Sequence, residues 1–312
     1  MTMPALLDGR LTIPAIASPM FIISQLELVI AQCRAGVVGS FPSLNARPSG
    51  VFEDWLVRLN AELTPQDAPF AVNLIVHRSN ARLEEDLALC VKYEVPIVIT
   101  SLGARPDVNE AIHSYGGIVL HDIINDMFAR KAIEKGADGL IAVATGAGGH
   151  AGTLSPFALV QEIREWFDGP LALSGAIATG GAIAAARVMG ADLAYIGSAF
   201  IATEEAHAVD AYKQMIVDSK GEDIVYSNLF TGVHGNYLKP SIVAAGMDPD
   251  HLPEADPSKM DFGAAVSGGA KAWRDIWGCG QGIGAVHAVL PAAKLVERLT
   301  QEYRTALARL MG

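Results

Sequence analysis

Short apolar or β-branched runs alternate along the chain with longer stretches in which apolar residues recur at helical spacing. Eight such runs predict strands, near residues 15–19, 37–41, 70–76, 97–100, 118–120, 140–144, 171–174 and 193–196. Between them the spacing predicts amphipathic helices, for example over 80–93, 125–135, 155–167 and 180–189. The strands are almost continuously apolar, the pattern of a parallel sheet covered on both faces. Eight strand–helix units close naturally into an α/β fold of the (β/α)8 TIM barrel type. On the pattern alone, a doubly wound open sheet is the competing arrangement.

The eighth strand ends near Ile196, with more than a hundred residues still to follow. A helix is predicted over 203–219, then an irregular stretch rich in Gly, Pro and Asp. Last comes a periodic helix in which Leu295, Leu299, Tyr303, Leu307 and Leu310 share one face. Pro291 marks its start or a kink. This helix is expected to complete the barrel. Residues 1–220 with 285–312 are read as the barrel, and 221–284 as a lid-like insertion over the active site, between strand eight and the last helix. The length of 312 residues suits a barrel of about 250 residues with such an insertion.

Composition narrows the function classes. A hydrophobic content of 51% provides for a large core and excludes general disorder. A net charge of −11 with no cluster of Lys and Arg speaks against a nucleic-acid or anionic-membrane surface. Cys33, Cys90 and Cys279 are odd in number and far apart, which offers neither a disulfide framework nor a CxxC zinc site. No metal constellation is present. The first residues lack the basic-then-apolar pattern of a secretory leader. The apolar run 13–23 contains Pro14 and Pro19 and is too short to span a bilayer. The expected setting is a reducing cytoplasm.

In a barrel the ligand lies at the C-terminal ends of the strands. Pro19 and Met20 close strand one, Asn73 lies in strand three, and His121 follows strand five. Strand six runs into GLIAVATGAGGHAGT, residues 139–153, where His150 sits among Gly146, Gly148, Gly149 and Gly152. A glycine loop bearing one titratable ring suits the close approach of a flat ligand. A turn with a surface histidine is the plainer reading of such a short motif. Strand seven ends in Ser174-Gly175 and leads to Gly180-Gly181; strand eight ends in Gly197-Ser198. Two such loops match a phosphate site made of backbone N–H groups, which requires no lysine.

With these motifs in view, PM after strand one, VN in strand three, GAGGHAG, ALSGAIATGG and YIGSAFIAT resemble the nitronate monooxygenase family. That family was formerly called 2-nitropropane dioxygenase and is related to flavin-dependent enoyl-ACP reductases. GCGQGIG, residues 278–284 after Trp277, resembles the family's C-terminal glycine-rich segment, with Cys279 in place of its small residue. The resemblance covers about residues 13–300 and is weakest over 210–260. It implies FMN as cofactor, with Met20 and Asn73 bordering the flavin, and Gly175, Gly181, Gly197 and Ser198 holding its phosphate. It also implies that His150 faces the substrate.

A histidine's pKa lies near working pH, so His150 can act as the base toward a nitroalkane or, protonated, hold an anionic nitronate. His121 and Gln281 are candidate flavin neighbours. His234 and Trp277 are candidate substrate contacts, with loop placement and simple aromatic packing as the alternatives. Trp273 could add to an aromatic wall, and Asn236, Tyr237 and Lys239 could frame a bulky acyl thioester. The expected activity is an FMN-dependent nitronate monooxygenase that oxidises nitronates or nitroalkanes with O2 to carbonyl compounds and nitrite. The alternative is an NAD(P)H-dependent reductase of an enoyl thioester or quinone. A small-molecule substrate is the expected partner, with a homodimer as one possible assembly.

Overall fold

The barrel strands are runs of three to six residues, mostly Ile, Val, Leu and Ala, each bounded by turn residues and too short to form a buried helix. In a computed structural model of the protein, residues 3–48, 50–255 and 276–311 are described. Eight strands pair in parallel: β1 (Ala15–Ala17), β2 (Gly39–Pro42), β3 (Phe70–Ile75), β4 (Ile97–Ser101), β5 (Ile118–Ile123), β6 (Gly139–Val143), β8 (Leu171–Ser174) and β9 (Leu193–Ile196). The order β1-β9-β8-β6-β5-β4-β3-β2 is closed between β1 and β2. There Ile16 bridges Val38, and the Ala17 N–H donates to the Val38 carbonyl at 2.8 Å. The sheet is therefore a (β/α)8 barrel and not an open doubly wound sheet.

Helices α1 (Leu26–Ala35), α2 (Val51–Glu62), α3 (Leu83–Lys92), α4 (Pro106–His113), α5 (Asp126–Glu134), α6 (Pro156–Arg164) and α7 (Gly180–Met189) follow successive strands. After β9 come the short α8 (Ser198–Ile201) and α9 (Asp210–Asp218). The eighth place in the ring is filled from the far end of the chain by α11 (Ala292–Met311), which packs against both α1 and α7. Helix over 203–219 holds only for its second half. Residues 203–205 are instead used in tertiary pairing: Thr203 bridges Leu290, and the Glu205 carboxylate accepts the Ala292 N–H at the start of α11. Those contacts override the local helical preference.

Alternation along each strand sorts its side chains. Ile16, Val38, Ala71, Ile99, Leu120, Ile141, Ala172 and Leu193 turn inward and make one dry cluster, closed by Leu7 from an N-terminal 3-10 turn, Ala5–Leu7. Their neighbours face outward into separate clusters beneath the helices. The insertion contributes an antiparallel hairpin, β10 (Ile224–Ser227) and β11 (Gly235–Leu238), and the short α10 (Lys239–Ala244). β11 also pairs with a two-residue strand after β6, β7 (Gly149–His150). No helix among the described residues is long and apolar enough to cross a membrane.

The seat of α11 depends on Gly180. A Cβ there would lie 2.1 Å from the Tyr303 nitrogen and 2.2 Å from the Leu299 oxygen, against the backbone of α11. Overpacking of this kind costs about 1–3 kcal/mol or more. We expect Gly180→Ala to lower the urea midpoint accordingly and to speed proteolysis within α11. An unchanged midpoint would mean that α11 does not rest on α7.

Candidate active site at the barrel mouth

Two residues beyond the last apolar layer, the lumen changes character. The next inward positions are Ser18, Ser40, Asn73, Ser101, Asp122, Val143, Ser174 and Tyr195, polar on seven of eight strands. Three of them, Asn73, Ser101 and Asp122, are joined to one another. The Asn73 amide donates to the Ile99 carbonyl at 3.0 Å and to Ser101 Oγ at 2.7 Å. Ser101 in turn hydrogen-bonds the Asp122 carboxylate, whose pKa burial nonetheless pushes up to about 6. This ring is the floor of the site. Sequence inspection found Asn73 but passed over Ser101 and Tyr195, although the two-residue step from Ile99 and Leu193 marks them.

Around the floor, the loops that close β1, β6, β8 and β9 converge. A Cβ on Gly197 would lie 2.6 Å from Ser18 Oγ and 3.7 Å from Met20 Sδ, so Met20, Gly197 and Ser198 share one corner. Pro19, Met20, Ser174, Gly175, Gly197 and Ser198 all keep some accessible surface, in contrast to the buried strands below them. Ser198 Oγ accepts the Gly280 N–H at 2.8 Å, and the Gly146 carbonyl accepts the Gln281 N–H at 2.9 Å. The glycine-rich 278–284 segment is thus laced directly onto the β6 loop. A Cβ on Gly148 would come within 2.8 Å of the Gly280 nitrogen, and one on Gly280 within 2.7 Å of the Gly146 oxygen. These glycines let two backbones touch. Gln281 itself is exposed at the edge of this junction, and the Cys279 thiol is fully buried, which pushes its pKa up to about 12.

The Met20 turn is pinned by a residue that the sequence did not flag. Asn45, buried after β2, donates to the carbonyls of Met20 and Ser24 and accepts the Ile22 N–H at 2.8 Å. Ile22 sits at φ 68°, a costly conformation for a β-branched residue, and Asn45 is what holds it there. An isolated asparagine in a loop carries no pattern from which this could be read.

His150 lies two residues beyond Gly148, on the extension of the β6 loop. Its strand β7 pairs with β11 (Gly235 opposite His150, Asn236 opposite Gly149), and the His234 carbonyl accepts the Ala151 N–H. The ring Nε2 lies 3.1 Å from Thr231 Oγ1, and burial pushes its pKa down to about 4. At neutral pH the ring is therefore uncharged, which suits a proton acceptor better than an imidazolium that holds an anion.

Several expected site residues stand elsewhere. His121 shares a strand face with Val119 and Ile123, which point outward. Its Nδ1 meets Thr100 Oγ1 at 2.6 Å, away from the lumen, and burial lowers its pKa to about 4. Gly180 serves the α11 seat, and its N–H donates to the Glu302 carboxylate at 2.8 Å, so it is not turned to a phosphate. Gly181 is exposed on α7 with only Thr179 Oγ1 near a built Cβ, at 3.8 Å. Trp277 stacks on Tyr212, ring centroids 4.7 Å apart, in the packing under the hairpin. His234 is exposed and stacks on Tyr226. Asn236 is buried with its amide on the Ala147 carbonyl, Tyr237 is buried, and Lys239 pairs with Asp250, so none of the three frames an open pocket. Trp273 lies outside the described residues. Away from the site, His113 pairs with Asp138 and His251 with Asp248. No cluster of potential metal ligands occurs among the described residues.

The mouth suits a flavin, the class of cofactor that the sequence resemblance implies. The floor combines an apolar base with amide and hydroxyl donors, suited to a ring system with apolar faces and polar edges. At Gly175 and Gly197 a Cβ would strike the Thr145 oxygen at 2.8 Å and Ser18 Oγ at 2.6 Å, so both turns keep bare backbone at the strand ends, the kind of surface a phosphate can approach closely.

Comparison with known proteins agrees with this geometry. The sequence model of the family described as nitronate monooxygenase matches residues 80–302. A nitronate monooxygenase from Paraburkholderia phytofirmans is 26% identical, covering 95% of this chain and 94% of its own. A nitroalkane oxidase structure from Streptomyces ansochromogenes superposes with TM-score 0.82 at 25% identity, over 98% of this chain and 100% of its own. A Rhodococcus jostii enzyme named as a hydroxy-methyl-oxo-octahydroindene-carboxyl-CoA dehydrogenase is 24% identical over 74% of this chain and 64% of its own.

The buried titratable groups set a pH dependence. His121 and His150 bind a proton near pH 4 when folded and near the ordinary 6.5 when unfolded, so the unfolded chain holds more protons between those values. Stability then falls as pH is lowered from 6.5 to 4. Asp122 opposes this, since its folded carboxyl holds a proton from about pH 6 downward. Urea midpoints at pH 7 and pH 5 should show a drop in the wild type and a smaller drop in His121→Gln. Equal drops would remove His121 from the account.

Proposed function

The chain belongs to the nitronate monooxygenase family and is an oxidoreductase, and from that premise we propose that it is an FMN-dependent enzyme that oxidises alkyl nitronates and nitroalkanes with O2. Carbonyl compounds and nitrite are the products. The observation that carries this reading is His150: an uncharged ring on the glycine loop that follows β6, the loop whose Gly146 and Gly148 meet the 278–284 segment beside Ser198. On a neutral nitroalkane, His150 would break the C–H bond beside the nitro group and keep the proton, leaving the electron pair delocalised over the nitro oxygens. Met20, Asn73, Gly175, Gly197 and Ser198 would hold the cofactor. When bound, FMN supplies the electron acceptance and the return of electrons to O2.

A second reading is supported by the CoA thioester in the name of the Rhodococcus jostii relative. In it the same site reduces an enoyl thioester or quinone with NAD(P)H, because a fold and a flavin do not fix the substrate. Anaerobic mixing separates the two: bleaching of the bound flavin by a nitronate favours the first, and bleaching by NADH or NADPH favours the second. Protein that binds no FMN on reconstitution would overturn both.

His150 gives the sharper test. Proton transfer by a positioned side chain contributes about 10²–10⁴-fold, so His150→Asn should lose that much turnover on neutral nitroalkane and less on preformed nitronate. FMN should be retained. With a ring pKa of about 4, wild-type kcat/KM for the nitroalkane should stay flat from pH 8 to 6. A decline centred near 6.5 would show a ring of ordinary basicity, and full activity in His150→Asn would make His150 a bystander.

A further inference from the structure

The one acid in the polar layer of the lumen has no countercharge. Along β5, Leu120 faces the dry interior and His121 faces outward, so Asp122 faces the lumen. Its carboxylate accepts a hydrogen bond from Ser101 on the neighbouring strand β4. The direction of that bond follows from Asn73, whose amide nitrogen gives one hydrogen to the Ile99 carbonyl, an acceptor only, and the other to Ser101 Oγ. Ser101 keeps its own proton for Asp122. Across the lumen, Tyr195 on β9 feels the Asp122 charge, although β8 and β6 stand between β9 and β5 in the sheet. That interaction therefore runs through the barrel's interior, and the Tyr195 phenol stays protonated, its pKa raised by burial first and by Asp122 second. The rest of the layer, Ser18, Ser40, Val143 and Ser174, carries no charge. No Lys, Arg or His among the described residues pairs with Asp122. The side chain nonetheless keeps some accessible surface, so water reaches it through the mouth.

We infer that Asp122 is the proton-binding residue of the cofactor site: its carboxylate takes up one proton as the flavin ring covers the floor, and the flavin rests above a neutral carboxylic acid. The inference rests on the reading of the mouth as a flavin site. A flat ring laid on the floor displaces the water that hydrates the carboxylate and brings no positive charge in exchange. With one hydroxyl donor and no cation, the anion is then costlier than the acid, and the group neutralises. The proton comes from hydronium or buffer acid and forms an O–H bond at one carboxylate oxygen; no other bond changes. The acid offers the cofactor a donor that the anion lacks. Proton and flavin thereby favour each other's binding by the same factor. An Asp122 that served only to anchor Ser101 would leave flavin binding indifferent to pH.

The test is FMN binding to the flavin-depleted full chain between pH 5.5 and 8, a window in which burial keeps His121 and His150 uncharged. The phosphate of FMN itself titrates near pH 6, so each Kd is read against Asp122→Asn, which meets the same phosphate and keeps the side chain's shape. While the bound state holds its proton, linkage raises Kd about tenfold for each pH unit above the free carboxyl's pKa of about 6. The ratio of wild-type to Asp122→Asn Kd should therefore rise about tenfold from pH 7 to 8 and level off below 6. Ser101→Ala, which removes the donor that favours the anion, should move that break to higher pH. Calorimetry in two buffers of different ionisation enthalpy should count about one more proton taken up per FMN in the wild type than in Asp122→Asn at pH 7.5. A Kd ratio that does not change with pH overturns the inference. If Asp122→Asn does not fold, riboflavin, which has no phosphate, decides: a wild-type Kd constant from pH 6 to 8 overturns the inference, and a rise whose break moves in Ser101→Ala supports it. Wild-type protein that binds no FMN at any pH overturns the flavin reading itself.

Discussion

Everything at the mouth depends on one constraint: in a closed barrel, successive residues of a strand must face opposite sides. Eight strands in parallel place residues of equal height in one layer, and the choice of side chain there sets what the lumen is. Below, the layer is aliphatic and dry. One step above, it becomes Asn73, Ser101, Asp122, Ser174 and Tyr195. A shift of one residue in any strand would exchange an inward polar group for an outward one and bury it beneath a helix without a partner. His121 shows the other side of the same rule, since as neighbour of Asp122 it must point out, and it finds Thr100.

The second organising feature is contact between backbones. The β6 loop, the hairpin and the 278–284 segment are bound to one another mainly through main-chain groups, as in Leu238 N–H to the Trp277 carbonyl and Cys279 N–H to the Asn236 carbonyl. Such contact leaves no room for side chains, which is why the motif is written in glycine. It also yields precision, because main-chain atoms have no rotamers with which to drift. His150 inherits that precision through β7.

Much of this was legible in advance. The eight strands were, because a buried parallel strand is a short apolar run bounded by turn residues. So was the place of α11, whose one-sided apolar face needed a barrel to lie on. What the sequence hid were partnerships across long separations. Thr231 and Asn45 are ordinary loop residues until the fold sets them beside His150 and Ile22. Gly180 looked like a phosphate ligand because a glycine at a helix start reads the same whether it admits an anion or another helix. Trp277 looked like a pocket wall because nothing local reveals that Tyr212 covers it.

Closure of the barrel has a consequence for how the protein comes into being. β1 is hydrogen-bonded to β9, the last barrel strand in chain order, so β1 has no partner on that side until β9 has left the ribosome. Its outer flank waits longer still, since α1 is covered by α11, which follows β9 by almost a hundred residues. Contacts between such distant segments are slow to form, because the intervening chain must be ordered first. During synthesis β1 and α1 therefore keep apolar surface exposed until β9 and α11 have been made, an interval in which such surface invites aggregation.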